Sequence, residues 1–576
     1  MTPRRPGRRG ARLAAAHRPS RAEPAPGFTL PPTGLLAVLA LASIALLAPP
    51  DSNRFWAVDG FRSLALAARL GLLAAAGLAA LLAWRPPPRA AWWALLGVLA
   101  ILVAFPLRES IHFLSDTGLR MRLLELGAAG QTKALTFPEL TWRVHMHPLD
   151  ALLEVWLPLA LARLGIPPRE TISALSLALF LVFAGGLARV LTPPPAAPRL
   201  HAPLVAGVLL AGTIEAFAGY AESTALVFAA AAWWWLALRA PLRRSRDAIV
   251  AALAWLVFFS CHRLALVMLP VQLLRPFIAA GPEDRPGPRR AALIADALAA
   301  GMAAGFFLLS RGRLSGMDLS QLLFSLFGSP GPRLVPLHDV LNLLVLVAPL
   351  ALLVPAFARR EDWAGFVRAP ETRLLVAAVL LLLPLLLVFP VAPNGLGAHR
   401  DWDLTGLLGI SLTLGAGSLL ARFPERRLRG ALVCVLPVLA LHAGAWVGVN
   451  ADAGASERRA QALAADPRAL PGEQRHQLFN HLGYRAADAG DNRSAARYFD
   501  RAYVALGAAG AALRAAEAWV RAGEPDSARA ATARARAAGA LPPDHARAAA
   551  IIEGWAARLD SLRGPRPAAG EIQNPR

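Results

Sequence analysis

The stretch LLVAAVLLLLPLLLVFP, residues 374–390, contains no charged side chain. A helix of such residues approaches the length needed to cross the hydrocarbon core of a bilayer, about 30 Å. Comparable apolar runs fall at 33–48, 62–84, 90–107, 171–191, 202–218, 222–238, 248–260, 263–276, 291–309, 337–356, 373–390, 404–421 and 430–449. A chain that repeats this pattern is constrained before any other feature is read. Runs of this apolarity, most of them near membrane-spanning length, read as the helices of a polytopic membrane protein. The expected fold is therefore all-α, a polytopic membrane bundle of about 13 transmembrane helices. Composition agrees: 56% of the 576 residues are hydrophobic, and the mean hydropathy is +0.45.

The formal net charge of +22 could point to nucleic acid. Its placement argues against that partner. Arginines crowd the short gaps between apolar runs, as in RAPLRRSRD (239–247) and RFPERRLR (422–429), which is the signature of the positive-inside rule. Lys133 is the only lysine, and the wealth of alanine, arginine and proline reads as the codon bias of a GC-rich bacterial genome. Cys261 and Cys434 both lie in or beside apolar runs, so no disulfide framework or cysteine metal site is expected.

The basic segment 1–32 reads as a disordered, uncleaved cytoplasmic tail. With that tail inside, the gaps 85–89, 192–201, 239–247, 277–290, 357–372 and 422–429 become cytoplasmic, and nearly all of them carry arginine pairs. The segment LDALLEVWLPLALARLG (149–165) interrupts its apolar run with Glu154, Pro158 and Arg163, and suits an interfacial helix better than a span. The membrane domain then covers 33–450. Its outer face holds a large loop at 108–170, the turns near 219–222 and 261–263, the loop 310–336, the stretch NGLGAHRDWDL (394–404), and everything after about residue 450. The expected location is the cytoplasmic (inner) membrane, spanned many times, in contact with the lipid bilayer.

That outer face collects the unusual polar residues. RESIHFLSDTGLRMRLLELG (108–127) carries Asp116, and HMHPLDALLEV further along the same loop carries His145, His147 and Asp150. Glu215, Tyr220 and Glu222 sit where two apolar segments meet, and His262 and Arg263 lie between two short apolar halves. Asp339 and Asn342 share a helix face by their spacing, and His399, Arg400, Asp401 and Asp403 fill the gap before the span at 404–421. Each has a plain structural alternative. Asp116 could cap the helix that follows, Glu222 could mark a span end, and Asp401 could balance Arg400 at the surface. His145 and His147 could form part of a divalent-metal site, although two residues apart in a loop is a weak pattern. Trp402 is expected at headgroup depth. Carboxylates beside a bilayer are costly and usually mark a site or pathway, so their accumulation on one face favours function.

A long outer loop that follows an early span, carries an acidic residue and leads through an HxPLD-type segment into an amphipathic helix resembles the C-type (GT-C) membrane glycosyltransferases. The dolichyl-phosphate-mannose and lipid A aminoarabinose transferase groups belong to that class. The resemblance covers about residues 90–450. It implies a polyprenyl-phosphate-linked sugar as donor and an acidic residue of the first large external loop as catalytic base or acceptor-binding group, which by position is Asp116. His147, Pro148 and Leu149 match the family's histidine–proline–leucine signature, whereas Asp150 replaces the usual aromatic. Two spans precede the one at 90–107, where many relatives have none. The residue types suit the chemistry. A carboxylate can take the acceptor's proton, while Arg263, Arg400 or His262, or a metal ion, can stabilise the departing phosphate. His145, His147, Tyr220, Glu222, Asp339, Asn342, His399, Asp401 and Asp403 complete the substrate-binding candidates.

Beyond residue 450 the composition turns alanine-, arginine- and acid-rich. Gly490-Asp491 aligns with Gly523-Glu524, Ala495 with Ala528, and Ala502 with Ala535. This offset of about 33 is close to the tetratricopeptide period of 34. Residues 451–565 are expected to form a small extracytoplasmic tetratricopeptide-like helical domain that docks on the membrane module or on a protein partner, with 566–576 disordered. The competing functions are a non-catalytic scaffold of an envelope complex and a transporter or flippase of a lipid-linked substrate. An outer cavity shared by Asp116, Glu222 and Asp401 would favour the enzyme.

Overall fold

The computed structural model describes residues 31–50, 53–114, 117–131, 147–192, 197–278, 286–310, 334–391, 397–467 and 469–563. Asp116 and His145 lie outside the described residues, as do the tails 1–30 and 564–576 and most of the loop at 310–336. All regular structure among the described residues is helical. The membrane part contains α1 (Pro32–Leu47), α2 (Leu66–Trp84), α3 (Arg89–Ala104), α4 (Thr117–Ala128), α5 (Pro168–Val190), α6 (His201–Leu209), α7 (Thr224–Arg239), α8 (Ser245–Cys261), α9 (Leu269–Ile278), α10 (Pro286–Ser310), α11 (Leu337–Val347), α12 (Arg360–Arg368), α13 (Pro370–Leu387), α14 (Trp402–Leu420) and α15 (Glu425–Ala451).

Among the described residues five helices, α2, α5, α13, α14 and α15, are long and apolar enough to cross a membrane. A sixth crossing is available if α11 and Pro349–Ala356, bent by 105° at the Val347–Pro349 break, count as one span. These are the helices of a multi-pass membrane protein, but not the thirteen spans expected from hydropathy. The difference has a physical cause. Apolar runs mark buried segments, and burial here comes from protein as well as from lipid. The run at 202–218 breaks into α6 and a 3-10 turn (Gly212–Phe217), and the run at 263–276 into another 3-10 turn (Arg263–Leu266) and α9. Helices α1, α3 and α7 are apolar but only 16 residues long.

Helix α14 is the centre of the bundle, with 83% of its apolar window buried, whereas α2 lies at the edge with 11% buried. Leu66, Leu70, Leu78 and Leu81 of α2 face outward, an apolar surface that requires lipid rather than water. Close approach to α14 depends on its small residues. A Cβ on Gly406 would lie 2.3 Å from the Phe228 ring, and one on Gly409 would lie 2.5 Å from the Val347 carbonyl oxygen, at the break that ends α11.

The chain closes with α16 (Ala453–Ala465), α17 (Gly472–Asp488), α18 (Asn492–Leu506), α19 (Ala509–Arg521), α20 (Pro525–Ala537) and α21 (Pro543–Arg563). Each of these packs on its neighbour. Ala495, Ala512, Ala516, Ala531 and Ala535, with Phe499 and Leu513, form the core between α18, α19 and α20. The aligned glycines are equivalent in structure as well as in sequence. Gly490 and Gly523 follow α17 and α19 at φ of 80° and 76°, the left-handed region that glycine occupies without steric cost.

These helices rest on the segment after α3. His481 Nε2 donates to the Ile111 carbonyl at 2.6 Å and Arg485 to the Ser110 carbonyl at 3.0 Å, while Arg122 pairs with Asp488 at 3.1 Å. Gly118 lies so close to His481 that a Cβ would come within 2.3 Å of the ring.

Gly409→Ala places a methyl group against backbone that cannot rotate away. We expect it to cost about 1–3 kcal/mol, read as a lower melting temperature of the detergent-purified protein. Gly415→Ala, whose nearest neighbour would be 3.9 Å away, should melt like wild type. Equal melting of all three proteins would remove close α11–α14 packing from the description.

Candidate functional site: a buried carboxylate–arginine cluster at one end of the bundle

The most heavily charged buried point in the bundle is built around Arg120. The sequence TGLRMRLLELG forms α4, and Arg120, Leu123 and Leu124 are on its buried face. The guanidinium meets Asp150 in a bidentate pair, both distances 2.9 Å, and meets Glu154 at 2.5 Å and Glu222 at 3.8 Å. Arg120 and Asp150 are fully buried, Glu154 nearly so. Asp150 and Glu154 come from one broken helix: Pro148–Asp150, a π-helical turn at Ala151–Trp156, then Leu157–Ala162. Such turns often mark functional positions. The expected interfacial helix thus turns its two carboxylates inward and leaves Arg163 exposed.

Three carboxylates crowded around one buried guanidinium repel one another, and burial makes each added negative charge costly. The proton inventory adjusts. Burial, with Asp150 and Glu222 nearby, raises Glu154 well above the usual carboxylate range against the pull of Arg120. A protonated Glu154 donates to Asp150 and still accepts from Arg120.

Beside this cluster two imidazoles stack. His147 and His262 have ring centroids 4.3 Å apart and planes 10° apart. The backbone N–H of Arg263 donates to His147 Nδ1 at 3.3 Å, and that of Leu264 to His262 Nδ1 at 3.0 Å. Because both Nδ1 atoms accept, the neutral rings carry their protons on Nε2.

On the other side, Thr224 Oγ1 donates to Asp403 at 3.2 Å, joining the start of α7, which follows Glu222, to the start of α14. Arg400 Nε donates to the Phe113 carbonyl at 3.0 Å, three residues before Asp116 in the sequence. Asp401 is 4% exposed, so its reading as a surface counterion to Arg400 does not hold. Trp402 is fully buried, 5.9 Å from Tyr220 and 6.4 Å from Trp446. It is therefore not a lipid-exposed anchor, whatever its depth. It is a core residue, because α14 is the central helix rather than a lipid-facing one.

A second polar group adjoins the first. His399 lies 4.9 Å from Trp56, 5.6 Å from Phe113 and 5.7 Å from Trp446. Arg459 lies over Trp446 and pairs with Asp59. Burial, then the charges of Arg459 and Arg400, hold His399 well below the usual imidazole range. Glu109, Glu215 and Asn450 are fully buried here. Glu215 and Asn450 face each other in a poorly formed hydrogen bond, and both His399 nitrogens lack a partner among the described residues, a local density of weakly satisfied buried groups suited to water or a polar ligand.

Of the sequence candidates, His147, Tyr220, Glu222, His262, Arg263, His399, Arg400, Asp401 and Asp403 therefore gather at one end of the bundle. Asp339 and Asn342 stand at its rim, where they fasten the 54–57 loop: Trp56 Nε1 donates to Asp339 at 2.9 Å, and Asn342 accepts from Ala57 N and donates to the Arg54 carbonyl. Asp150 and Glu215 were noted on the outer face but not carried into the substrate-binding set, and Arg120, Glu154, Glu109, Asn450 and Arg459 were not among the candidates. Glu154 and Glu215, carboxylates within apolar runs, carried a readable signal; Arg120 did not. Among the described residues no group of three His, Cys, Asp or Glu side chains could hold a metal ion, and the centre of the carboxylate trio is filled by Arg120. No family model, no curated protein and no solved structure matches this chain.

Glu154's folded-state pKa is raised, so its stabilising contribution is complete below the unfolded value of 4.5 and is lost as pH rises through the folded value. Glu154→Gln fixes the neutral form. Its melting temperature should fall less than that of wild type between about pH 5 and about pH 8. Arg120→Met, which strands the carboxylates, should cost about 3–5 kcal/mol. A Glu154→Gln protein that melts in parallel with wild type across this range would mean that Glu154 is ionised.

Proposed function

We propose that the protein is a membrane glycosyltransferase of the GT-C kind, moving a sugar from a polyprenyl-phosphate donor to an acceptor at the outer face of the cytoplasmic membrane. The observation that carries the reading is the convergence of buried carboxylates, histidines and arginines from five separate segments at one end of the bundle. Those groups adjoin the stretch that bears Asp116: Thr117, the next residue, is fully buried, and Phe113 is held by Arg400. Carboxylates directed singly into water would suit a scaffold, but Glu222 and Asp401 are both buried here.

In this reading the Asp116 carboxylate accepts the proton of the acceptor hydroxyl as its oxygen attacks the anomeric carbon, and the sugar–phosphate bond breaks with the electron pair leaving on the lipid phosphate. Arg263 and Arg400 lie in the same region to balance the charge that develops there. Trp56, Trp446 and His399, with Glu109, Glu215 and Asn450, offer the mixture of aromatic faces and hydrogen-bonding groups that suits a polyhydroxylated ring.

Sidedness follows from arginine placement. Arg239, Arg422 and Arg427 lie at the ends of α7 and α14 and the start of α15, opposite the carboxylate end, and that end belongs in the cytoplasm by the positive-inside rule. The C-terminal helices, docked on the carboxylate end, then form an extracytoplasmic tetratricopeptide-like pair of repeats suited to a protein partner. Val504, 77% exposed on α18, offers a probe. Val504→Cys should react with a membrane-impermeant maleimide in intact spheroplasts, and reaction only after lysis would invert the orientation.

The function is tested by incubating the reconstituted full-length protein with radiolabelled polyprenyl-phosphate sugars and a membrane lipid extract. Asp116→Asn should lose most transfer activity, by 10²-fold or more, on the order of general-base effects, with unchanged melting temperature. Near-normal turnover in that variant would leave Asp116 as a helix cap.

A further inference from the structure

At the opposite, arginine-rich end lies a cavity of about 420 Å³ lined by Arg359, Glu361, Asp362, Gly365, Arg422 and Arg427, within the size range of small-molecule sites. It opens where three candidate spans meet: α13 begins, α14 ends and α15 begins within a few residues of its walls. That position is a membrane boundary. Its fourth element, α12, is amphipathic, with Trp363 and Val367 exposed one turn apart on the same face. An exposed tryptophan on a short helix at the end of spans is suited to the headgroup region.

The cavity's charges are held in place. Asp362 accepts from Arg359 N at 2.7 Å and from Arg427 at 2.5 Å. Arg422 donates to the Ser418 carbonyl at 2.6 Å and to Glu371 at 3.1 Å, and lies over Phe366. Two features are left over. The Arg427 side chain is 9% exposed, yet its Nε has no hydrogen-bond partner among the described residues. Arg359 is exposed at the rim and forms no ion pair among the described residues. Three guanidinium groups against Glu361 and Asp362 leave the walls one positive charge in excess, with Arg360 and Arg426 exposed at the same end.

We propose that this cavity binds a phosphate group, and that at its depth the group is the phosphodiester of an anionic lipid headgroup. A buried guanidinium N–H without a partner and an unpaired guanidinium at the entrance are the donors a phosphate oxygen would satisfy. The inference does not depend on the glycosyltransferase reading, since it concerns the other end of the bundle and its test measures no transfer.

The full-length protein is reconstituted in vesicles of phosphatidylcholine alone, in vesicles with about one third phosphatidylglycerol, and in phosphatidylcholine vesicles with 10 mM inorganic phosphate (about physiological for the last). Melting is followed in each. Phosphatidylglycerol should raise the melting temperature, and Arg359→Gln should lose at least half of that rise while matching wild type in phosphatidylcholine. A rise with phosphatidylglycerol alone supports a lipid ligand. An equal rise with inorganic phosphate supports the phosphate site but overturns its assignment to lipid. The same melting temperature in all three, or a full rise in Arg359→Gln, overturns the site. If Arg359→Gln melts differently in phosphatidylcholine, native mass spectrometry of phosphatidylglycerol retained by wild type and by Arg359→Lys decides. Loss in the lysine variant supports the guanidinium's role, and undiminished retention in it overturns that role.

Discussion

Arg120 is a cation without access to water, and its position is tolerable only because Asp150, Glu154 and Glu222 surround it. The dependence runs both ways. Asp150 and Glu154 need the guanidinium, so the broken helix 148–162 must lie against α4. Glu222 requires the start of α7 to reach the same point. Thr224 then carries the constraint to Asp403 and the central helix α14. One ionic cluster therefore fixes the mutual placement of segments that lie 30, 34 and 102 residues from Arg120 in the chain. Apolar packing alone would leave those segments freer, because hydrocarbon side chains against lipid and against protein are nearly equivalent.

The bundle's two ends solve the same problem with different chemistry. At the arginine-rich end, cations meet backbone carbonyls: Arg275 donates to the carbonyls of Leu238, Ala240 and Asp247, and Arg422 to that of Ser418. The contacts with Leu238, Ala240 and Ser418 satisfy carbonyls at helix C-termini that lack helical partners, and the Asp247 contact ties in the first turn of α8. At the carboxylate end the partners are side chains from distant segments, and several buried polar atoms remain unsatisfied. The first arrangement ties helix ends together and keeps spare donors at the cavity lined by Arg359 and Arg427. The second leaves more interaction capacity in reserve, spread over several buried groups, which is a condition for binding.

Helical class and the polar face were legible in the sequence because both follow from local composition. Apolar runs predict helices, and a carboxylate in such a run predicts a site, as Glu222 illustrates. The span count was not legible, because hydropathy does not say whether lipid or protein covers a run: α15 and α2 are about equally apolar, yet one is two-thirds buried and the other faces outward. Trp402 failed for the same reason: hydropathy cannot tell a tryptophan at the lipid boundary from one in the core. Arg120 was invisible because RMRLLELG reads as an amphipathic helix with its arginines in water. Its partners lie 30 and 34 residues away on a helix that hydropathy marks as interfacial. The Asp339–Asn342 spacing did indicate a shared face, yet what that face meets is Trp56 and the backbone of the 54–57 loop. The 33-residue offset did have a structural counterpart, since Gly490 and Gly523 end successive helices in the same left-handed conformation.

The C-terminal helices touch the bundle at the segment that leads into the carboxylate end. His481 holds Ile111, Arg485 holds Ser110, and the Ser110 amide in turn donates to the Asn450 carbonyl at the end of α15. Burial, with Arg400 and Arg485 nearby, lowers the His481 imidazole to about 4 against the pull of the Ile111 carbonyl, so the contact is made by the neutral ring. Arg400 binds the Phe113 carbonyl two residues further on. Residues 110–113 are thus held from one side by α17 and from the other by the loop before α14, and Asp116 follows three residues later. A force on the C-terminal helices reaches the approach to Asp116 through two hydrogen bonds and a few peptide units, without crossing the bilayer-facing part of the bundle. A second contact runs through α16, where Arg459 pairs with Asp59 and lies over Trp446 beside His399, so α16 and α17 both meet the bundle where the carboxylate end begins.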